Sequence, residues 1–102
     1  MSIEKTNRDI WEGEFYFSPD DGIYGDHFPG YPVVPGSLIV HAFLQAATGI
    51  GIKERFRSLE NFRFREFLTP GRYSFRMEGH EDGLRCLIYR GAKKLVTGVL
   101  GK

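Results

Sequence analysis

The chain has 102 residues, a formal net charge of +1, and 15% aromatic and 26% charged residues. This length fits one domain, residues 1–102, with a modest core. The near-neutral charge argues against a nucleic-acid binder. No stretch is long and apolar enough to span the ~30 Å hydrocarbon layer of a membrane. With one cysteine and no secretion signal at the start, we expect a reduced, cytoplasmic setting without an internal disulfide.

A strand and a stiff loop are predicted in the first third of the chain. Residues 11–17 alternate between apolar and polar side chains, which is typical of a half-buried strand. Pro29, Pro32 and Pro35 then fix the backbone of the following loop. This loop therefore presents His27 with little freedom to move.

A nearly all-apolar helix is predicted to begin at Gly36 and to end near Gly49 and Gly51. Its polar side chains fall on one narrow stripe, because steps of four and three residues return to the same face: Ser37, His41, Gln45 and Thr48. The remaining positions are apolar all round, which predicts burial in a core. A polar stripe on a buried helix requires partners or a ligand.

Four further strands are predicted over 62–67, 72–80, 84–90 and 95–100. The alternation slips at Glu66 and Phe67, as at a β-bulge. Three turn signals separate the strands: Thr69-Pro70-Gly71, Glu81-Asp82-Gly83 and Gly91-Ala92. Short connections favour antiparallel pairing, so we expect an α+β fold in which about five strands wrap around one long central helix. A second copy of the chain would complete the burial, so we expect a dimer.

One set of residues has the parts for chemistry. A backbone N–H at the helix start, Gly36, can hold a carbonyl oxygen whose negative charge grows during reaction. A histidine nearby, His27, can take or give a proton near neutral pH, and Ser37, His41 and Gln45 lie on the adjoining stripe. These groups suit removal of a proton beside a thioester carbonyl and loss of a β-hydroxyl as water.

The run from His27 to Leu38, H-F-P-G-x-P-x-x-P-G-x-L, resembles the hot-dog-fold 3-hydroxyacyl-[acyl-carrier-protein] dehydratases of bacterial fatty-acid synthesis, the FabA and FabZ type. The likeness extends more weakly through residues 64–71. It implies a hot-dog fold and an acyl-carrier-protein or coenzyme A thioester substrate. It also implies a homodimer or higher oligomer with two sites at its interface, and no cofactor or metal.

The resemblance also implies roles for individual residues. His27 takes the α-proton and is held by a backbone carbonyl near Val33. The N–H of Gly36 binds the thioester carbonyl, and Gln45 steadies an acidic partner residue. Phe28, Val33 and Ser37 are expected to contact the substrate beside these groups.

The chain departs from that family pattern in three places. The acidic residue falls at position 41, which is His41, and Asp26 stands where glycine is usual before the histidine. A neutral imidazole at position 41 can still donate a hydrogen bond, and a protonated one can protonate a leaving hydroxyl. The leading segment and first strand of the family are expected to be largely missing, because 26 residues precede His27.

Several interpretations remain open from the sequence. The protein is a dehydratase, a thioesterase of the same fold, or a non-catalytic acyl-binding partner subunit that has lost its acid. His41 is either a second catalytic residue or a buried histidine satisfied by Gln45. A metal site from His27, His41 and Asp26 lacks a tight ligand spacing.

The remaining polar and charged residues have simpler interpretations. His80 is expected to be solvated, and Cys86 to be a core residue rather than a nucleophile. The basic second half of the chain is either a solvated sheet face or a docking surface for an acidic carrier protein. The docking residues would be Arg55, Arg57, Arg63 and Arg65.

Overall fold

The structure, a computed structural model, describes residues 3–7, 9–18, 33–52, 56–81 and 83–101. These residues form six strands and one helix: β1 (Ile3–Asn7), β2 (Ile10–Phe17), α1 (Gly36–Gly49), β3 (Ser58–Phe64), β4 (Gly71–His80), β5 (Gly83–Arg90) and β6 (Lys93–Gly101). The predicted α+β class is confirmed, and from β2 onward so is the predicted order of a strand, a helix and four strands. The expected count of about five strands becomes six.

All six strands pair antiparallel in one sheet, in the order β1-β2-β4-β5-β6-β3. His80 pairs with Gly83 between β4 and β5, and Arg90 pairs with Lys93 between β5 and β6. Each register leaves only two connecting residues, so both predicted tight turns are confirmed. The third strand, β3, crosses over to pair with β6 and forms an edge of the sheet.

The additional strand, β1, lies at the other edge. It pairs with β2, and Ile3 lies opposite Gly13. The expectation that a first strand is largely missing is therefore wrong. The segment Ile3–Asn7 contains one apolar residue, so periodicity gives no strand signal, and the strand is defined by backbone pairing with its neighbour.

The predicted position of the β-bulge is also wrong. The register of β3 against β6 shifts between Glu60 and Arg63, not at Glu66 and Phe67. Asn61, inside this bulge, has a φ of 53°, a left-handed conformation that asparagine tolerates better than most residues. The bulge places Glu60 and Arg63 on the same face of β3, because they pair with Val99 and Thr97, two residues apart on β6.

An aromatic core joins the helix to the sheet. Phe43 of α1 is fully buried, and its ring centroid lies 5.1 Å from that of Phe15 in an edge-to-face arrangement. Phe15 lies 4.1 Å from Phe75 on the neighbouring strand β4. Such edge-to-face contacts add to the stabilisation from burial of the rings.

The other face of α1 lies outside this core. Ser37, His41, Gln45 and Thr48 are exposed, and Leu44 is 37% exposed. The expectation of a helix buried on every side is therefore wrong for a single chain, because one sheet covers one face of a helix. Within the described ranges, no helix has both the length and the apolar composition needed to cross a membrane.

Candidate functional site

The start of α1 is an open helix terminus. Gly36 is its first residue, and Pro35 precedes it in an extended conformation. The carbonyl of Pro35 accepts the first helical hydrogen bonds, from Leu38 N at 3.0 Å and Ile39 N at 3.2 Å. Among the described residues no side chain caps this end, and its first turn contains no acidic residue. The N–H groups of Gly36 and Ser37 precede these bonds and have no acceptor within the helix, so they form a site suited to an oxygen that carries negative charge.

Phe64 covers the helix start from the sheet side. A Cβ added to Gly36 would lie 3.2 Å from Cζ of Phe64, which is closer than ordinary van der Waals contact. The Phe64 ring is 43% exposed and stacks against Phe62 at 6.3 Å between centroids. A larger residue at position 36 would therefore require the Phe64 ring to shift by a few tenths of an ångström.

Phe64 is a site residue that the sequence interpretation missed. It was assigned only to a strand and to the weaker part of the family resemblance, at residues 64–71. The available signal was its place at the start of that run. Its contact with Gly36 follows from the pairing of β3 with β6, which periodicity does not specify.

The segment before the helix is held by the loop after β3. Val34 N donates a hydrogen bond to the carbonyl of Leu68 at 2.7 Å, and both residues are buried. Tyr73 donates its phenolic hydrogen to the carbonyl of Thr69 at 2.7 Å, which ties this loop to β4. The predicted Thr69-Pro70-Gly71 segment thus supports the approach to the helix start.

The polar stripe of α1 is present as predicted, but it is exposed. Ser37, His41 and Gln45 follow one another at steps of four along α1. No hydrogen bond joins His41 to Gln45 among the described residues. The interpretation of His41 as a buried histidine satisfied by Gln45 is therefore wrong in the single chain. Both side chains are available to a ligand or to a second subunit.

Two predicted site residues, His27 and Phe28, lie outside the described residues, as does Asp26. Val33 is described and is partly buried. The start of α1 therefore brings together Val33, Gly36 and Ser37. His41 and Gln45 lie about one and two turns further along the helix. The roles of His27 and Phe28 remain predictions.

Cys86 is a core residue, as expected. It is fully buried, and burial raises the pKa of its thiol to about 12. A thiol with so high a pKa is not a nucleophile near neutral pH.

His80 is exposed at the end of β4, and no cluster of three metal-ligating side chains occurs in the described parts of the chain.

A cavity of about 500 Å³ lies at the opposite end of the molecule. Its walls include Trp11, Phe56 and Leu84, and it also contacts Ile52, which follows the end of α1. The 14 residues of α1 span ~21 Å at 1.5 Å per residue. This cavity is therefore separate from the helix start.

Comparison with known proteins shows similarity to dehydratases, both in a family profile and in individual relatives. The sequence profile of the ApeI-like family, described as ApeI dehydratase, matches residues 3–93. A 3-hydroxyacyl-[acyl-carrier-protein] dehydratase FabZ from Wolbachia pipientis subsp. Culex pipiens is 33% identical over 98 residues, covering 88% of this chain and 62% of that protein. A FabZ from Herpetosiphon aurantiacus is 36% identical over 83 residues, covering 72% and 58%. The chain thus spans about three fifths of the length of these relatives.

Two solved structures share the fold. The dehydratase heterocomplex ApeI:P from Xenorhabdus doucetiae contains a chain with a TM-score of 0.83 and 18% identity, covering 98% of this chain and 93% of that one. An uncharacterized protein from Erwinia carotovora subsp. atroseptica gives a TM-score of 0.71 at 23% identity, covering 97% and 86%. At these identities the likeness establishes the fold alone.

Proposed function

Because the chain belongs to the ApeI-like dehydratase family, we propose that it removes water from a 3-hydroxyacyl thioester to give a trans-2-enoyl thioester, in cytoplasmic fatty-acid or polyketide-like synthesis. The observation that carries this proposal is the open start of α1 at Gly36, with the polar stripe directly beyond it. No cofactor is required, because the reaction needs only proton transfers and stabilisation of an oxyanion.

The reaction divides among three groups. His27 takes the proton from the carbon next to the thioester carbonyl, and the N–H of Gly36 stabilises the enolate oxygen that forms. The electron pair then makes the double bond as the bond from the β-carbon to the hydroxyl breaks. The departing hydroxyl receives a proton from His41 or His27 and leaves as water.

Position 41 distinguishes this chain from the family pattern. An acidic residue there would be a proton donor only in its protonated form, whereas an imidazole has an N–H in both protonation states. Exposed on α1, His41 can reach a substrate bound by its own chain or by a second copy. In this proposal His41 is the second catalytic residue and Gln45 orients it.

The proposal predicts that replacement of His27 strongly reduces turnover. His27→Ala should lower the rate of water loss from a 3-hydroxyacyl thioester by about 10²-fold to 10⁴-fold, because a positioned acid or base contributes that much. The measurement is formation of the enoyl thioester by its ultraviolet absorbance. Unchanged turnover in His27→Ala would contradict the dehydratase proposal. Release of free thiol instead of water would identify a thioesterase.

The exposed edge strand β3 supports pairing with a second copy. Leu59 is 58% exposed, and Glu60 and Arg63 lie exposed on the same face. Antiparallel pairing about an axis between Asn61 and the next residue would set Glu60 against the second copy's Arg63. It would also set Leu59 against the second copy's Phe64. Opposite charges directly across a strand pair are favourable.

A charge swap tests this homodimer. Glu60→Arg and Arg63→Glu should each weaken the dimer, because each places like charges opposite one another. The two changes combined in one chain should restore it, as measured by sedimentation. Glu14→Arg, an exposed position on β2, is the matched control. Equal dimerisation of all four variants would exclude this pairing.

A second candidate function is that of a partner subunit without its own turnover. Two observations favour it: His41 replaces the family acid, and the structurally similar Xenorhabdus doucetiae dehydratase is a heterocomplex. In this case the chain alone should show no turnover, and His41→Glu should create dehydration. Turnover by the wild-type chain alone would exclude it.

A further inference from the structure

Five basic side chains gather at one end of the sheet: Arg65, Arg72, Arg90, Lys93 and Lys94. All five are exposed. Arg72 is the second residue of β4 and lies opposite Tyr16, while Lys93 and Lys94 begin β6 opposite the last two residues of β5. Arg65 follows β3, and its backbone N–H donates a hydrogen bond to the carbonyl of Leu95 at 2.9 Å. These five residues define the cationic end.

The cationic end is also the end at which α1 begins. Phe64, directly before Arg65, contacts Gly36, and the loop after it holds Val34 through Leu68. An anionic group bound at this end would therefore lie near the open helix start. The helix dipole favours negative charge at the same place.

In the part of the chain that the structure describes, most of these cations have no neighbouring carboxylate. Within the described residues, Lys93 alone has a carboxylate partner, Glu66. Arg72 lies 5.5 Å from the ring centroid of Tyr16, and Arg90 lies 5.1 Å from that of Tyr73. Cation–π contacts of this kind orient a guanidinium and leave its charge available.

The opposite end of the sheet has mixed charge. At that end Arg57 precedes β3, and its backbone N–H donates a hydrogen bond to the carbonyl of Gly101. Arg85 lies 4.0 Å from Glu78, while Asp9 and Glu81 are exposed nearby. The docking residues expected from the sequence are therefore divided. Arg65 belongs to the cationic end, Arg63 lies within the edge strand β3, Arg57 belongs to the other end, and Arg55 lies outside the described residues.

We propose that the cationic end is the docking surface for an acidic carrier protein that delivers the acyl thioester to Gly36. This inference rests on the proposed function. The five cations lie on or beside the adjacent strands β4, β5, β6 and β3, which span about 14 Å at ~4.8 Å per strand. That width exceeds a single phosphate group and matches the ~10–12 Å diameter of a helix with side chains. The surface therefore fits an acidic helix of a folded partner better than a free coenzyme.

Charge reversal at the two ends provides a matched test. The double variant Arg90→Glu with Lys94→Glu changes the cationic end, and Arg57→Glu with Arg85→Glu changes the opposite end. The probe is a bacterial acyl carrier protein bearing a 3-hydroxydecanoyl chain, with binding measured by calorimetry at low and at physiological salt. We expect at least about tenfold weaker binding and a smaller salt dependence for the first variant only.

A second substrate separates docking from chemistry. With 3-hydroxydecanoyl-pantetheine, which lacks the carrier, both variants should turn over within about twofold of wild type. Equal loss of carrier binding in both variants would overturn the docking proposal. So would lower thermal stability of the first variant with unchanged carrier binding, because the cations would then serve the chain's own carboxylates.

The two proposals fail in different ways. If the wild-type chain binds the charged carrier but dehydrates neither substrate, the docking surface stands and the dehydratase proposal fails. If it dehydrates the pantetheine substrate but does not bind the carrier, the dehydratase stands and the docking surface is overturned.

Discussion

The two faces of α1 differ in their surroundings and in what they contribute. The face toward the sheet is buried and consists of Ile39, Phe43, Ala46 and Ala47. The opposite face is exposed and includes Ser37, His41 and Gln45. The first face stabilises the fold, while Ser37, His41 and Gln45 make no hydrogen bond or ion pair within the described residues that would require polar side chains for folding. Polar side chains retained on an exposed stripe beside an open helix start are better explained by a ligand or a second subunit.

The largest expected effect is on the sheet-facing side. Phe43→Ala should lower the free energy of unfolding by about 3–5 kcal/mol, because it leaves a cavity among Phe15 and Phe75. Leu44→Ala, on the exposed side, should cost less than about 1 kcal/mol. Chemical denaturation of both variants checks the contrast. Similar losses at the two positions would show that the exposed face is covered in solution.

The free energy of unfolding should also depend on pH, because the core contains a buried thiol, Cys86 in β5. Burial raises the pKa of Cys86 to about 12 from its ordinary value near 9, so the folded state keeps its proton where the unfolded chain has lost it. This component of stability is present below pH 9 and declines as pH rises toward 12, by up to about 1.4 kcal/mol per pH unit.

Comparison of wild type with Cys86→Ala isolates this contribution, since the other titrating groups are common to both. The difference in unfolding free energy between the two proteins should shrink above pH 9. A thiol reagent at pH 8 should label native Cys86 far more slowly than the unfolded chain. Rapid labelling of the native protein would contradict the buried assignment.

Adding one methyl group at Gly36, the first residue of α1, should have a small effect on stability. Gly36→Ala would bring a Cβ to 3.2 Å from Phe64, and the ring, exposed at the sheet edge, would have to shift. The cost in unfolding free energy should be about 1 kcal/mol or less, because alanine also favours the helix.

Gly36→Ala should lower turnover although it changes the free energy of unfolding little, because the displaced Phe64 ring changes access to the N–H of residue 36. The double variant Gly36→Ala with Phe64→Ala removes the contact and should recover part of the lost turnover. No recovery would show that Phe64 does not control this site.

The smallest effect on stability is expected on the exposed stripe. His41→Ala should change the free energy of unfolding by less than about 0.5 kcal/mol, as is usual for a surface position. Its turnover should nevertheless fall by about 10²-fold or more if His41 transfers a proton to the leaving hydroxyl. Thr48→Ala, at the far end of the same stripe, serves as the control. Loss of stability with unchanged turnover would reverse the assignment of the two faces.

The sequence predicted much of the local structure. The alternation over 11–17, the polar stripe and the two-residue turns each depend on neighbouring residues, and each is present in the structure. Cys86 was correctly assigned to the core because it alternates with Leu84 and Ile88. The errors concern β1 and the bulge near Asn61, which depend on pairing with distant strands.

The candidate site was predicted only in part. Gly36 and the stripe follow from the position of one helix, so their proximity could be inferred from spacing alone. The contact of Phe64 with Gly36 and the hydrogen bond from Val34 to Leu68 join segments about 30 residues apart in the chain. Periodicity contains no information about such contacts.

The sequence by itself determined the helix, its polar stripe and the glycine at its start, because these depend on spacing within a few turns. Only the tertiary structure decided which face of the helix the sheet covers. It also decided which basic residues lie at the end of the sheet where α1 begins, because the antiparallel register brings Arg65, Arg72 and Arg90 to one end and leaves Arg57 at the other. Register is set by long-range packing of the whole sheet, and no short stretch of the chain specifies it.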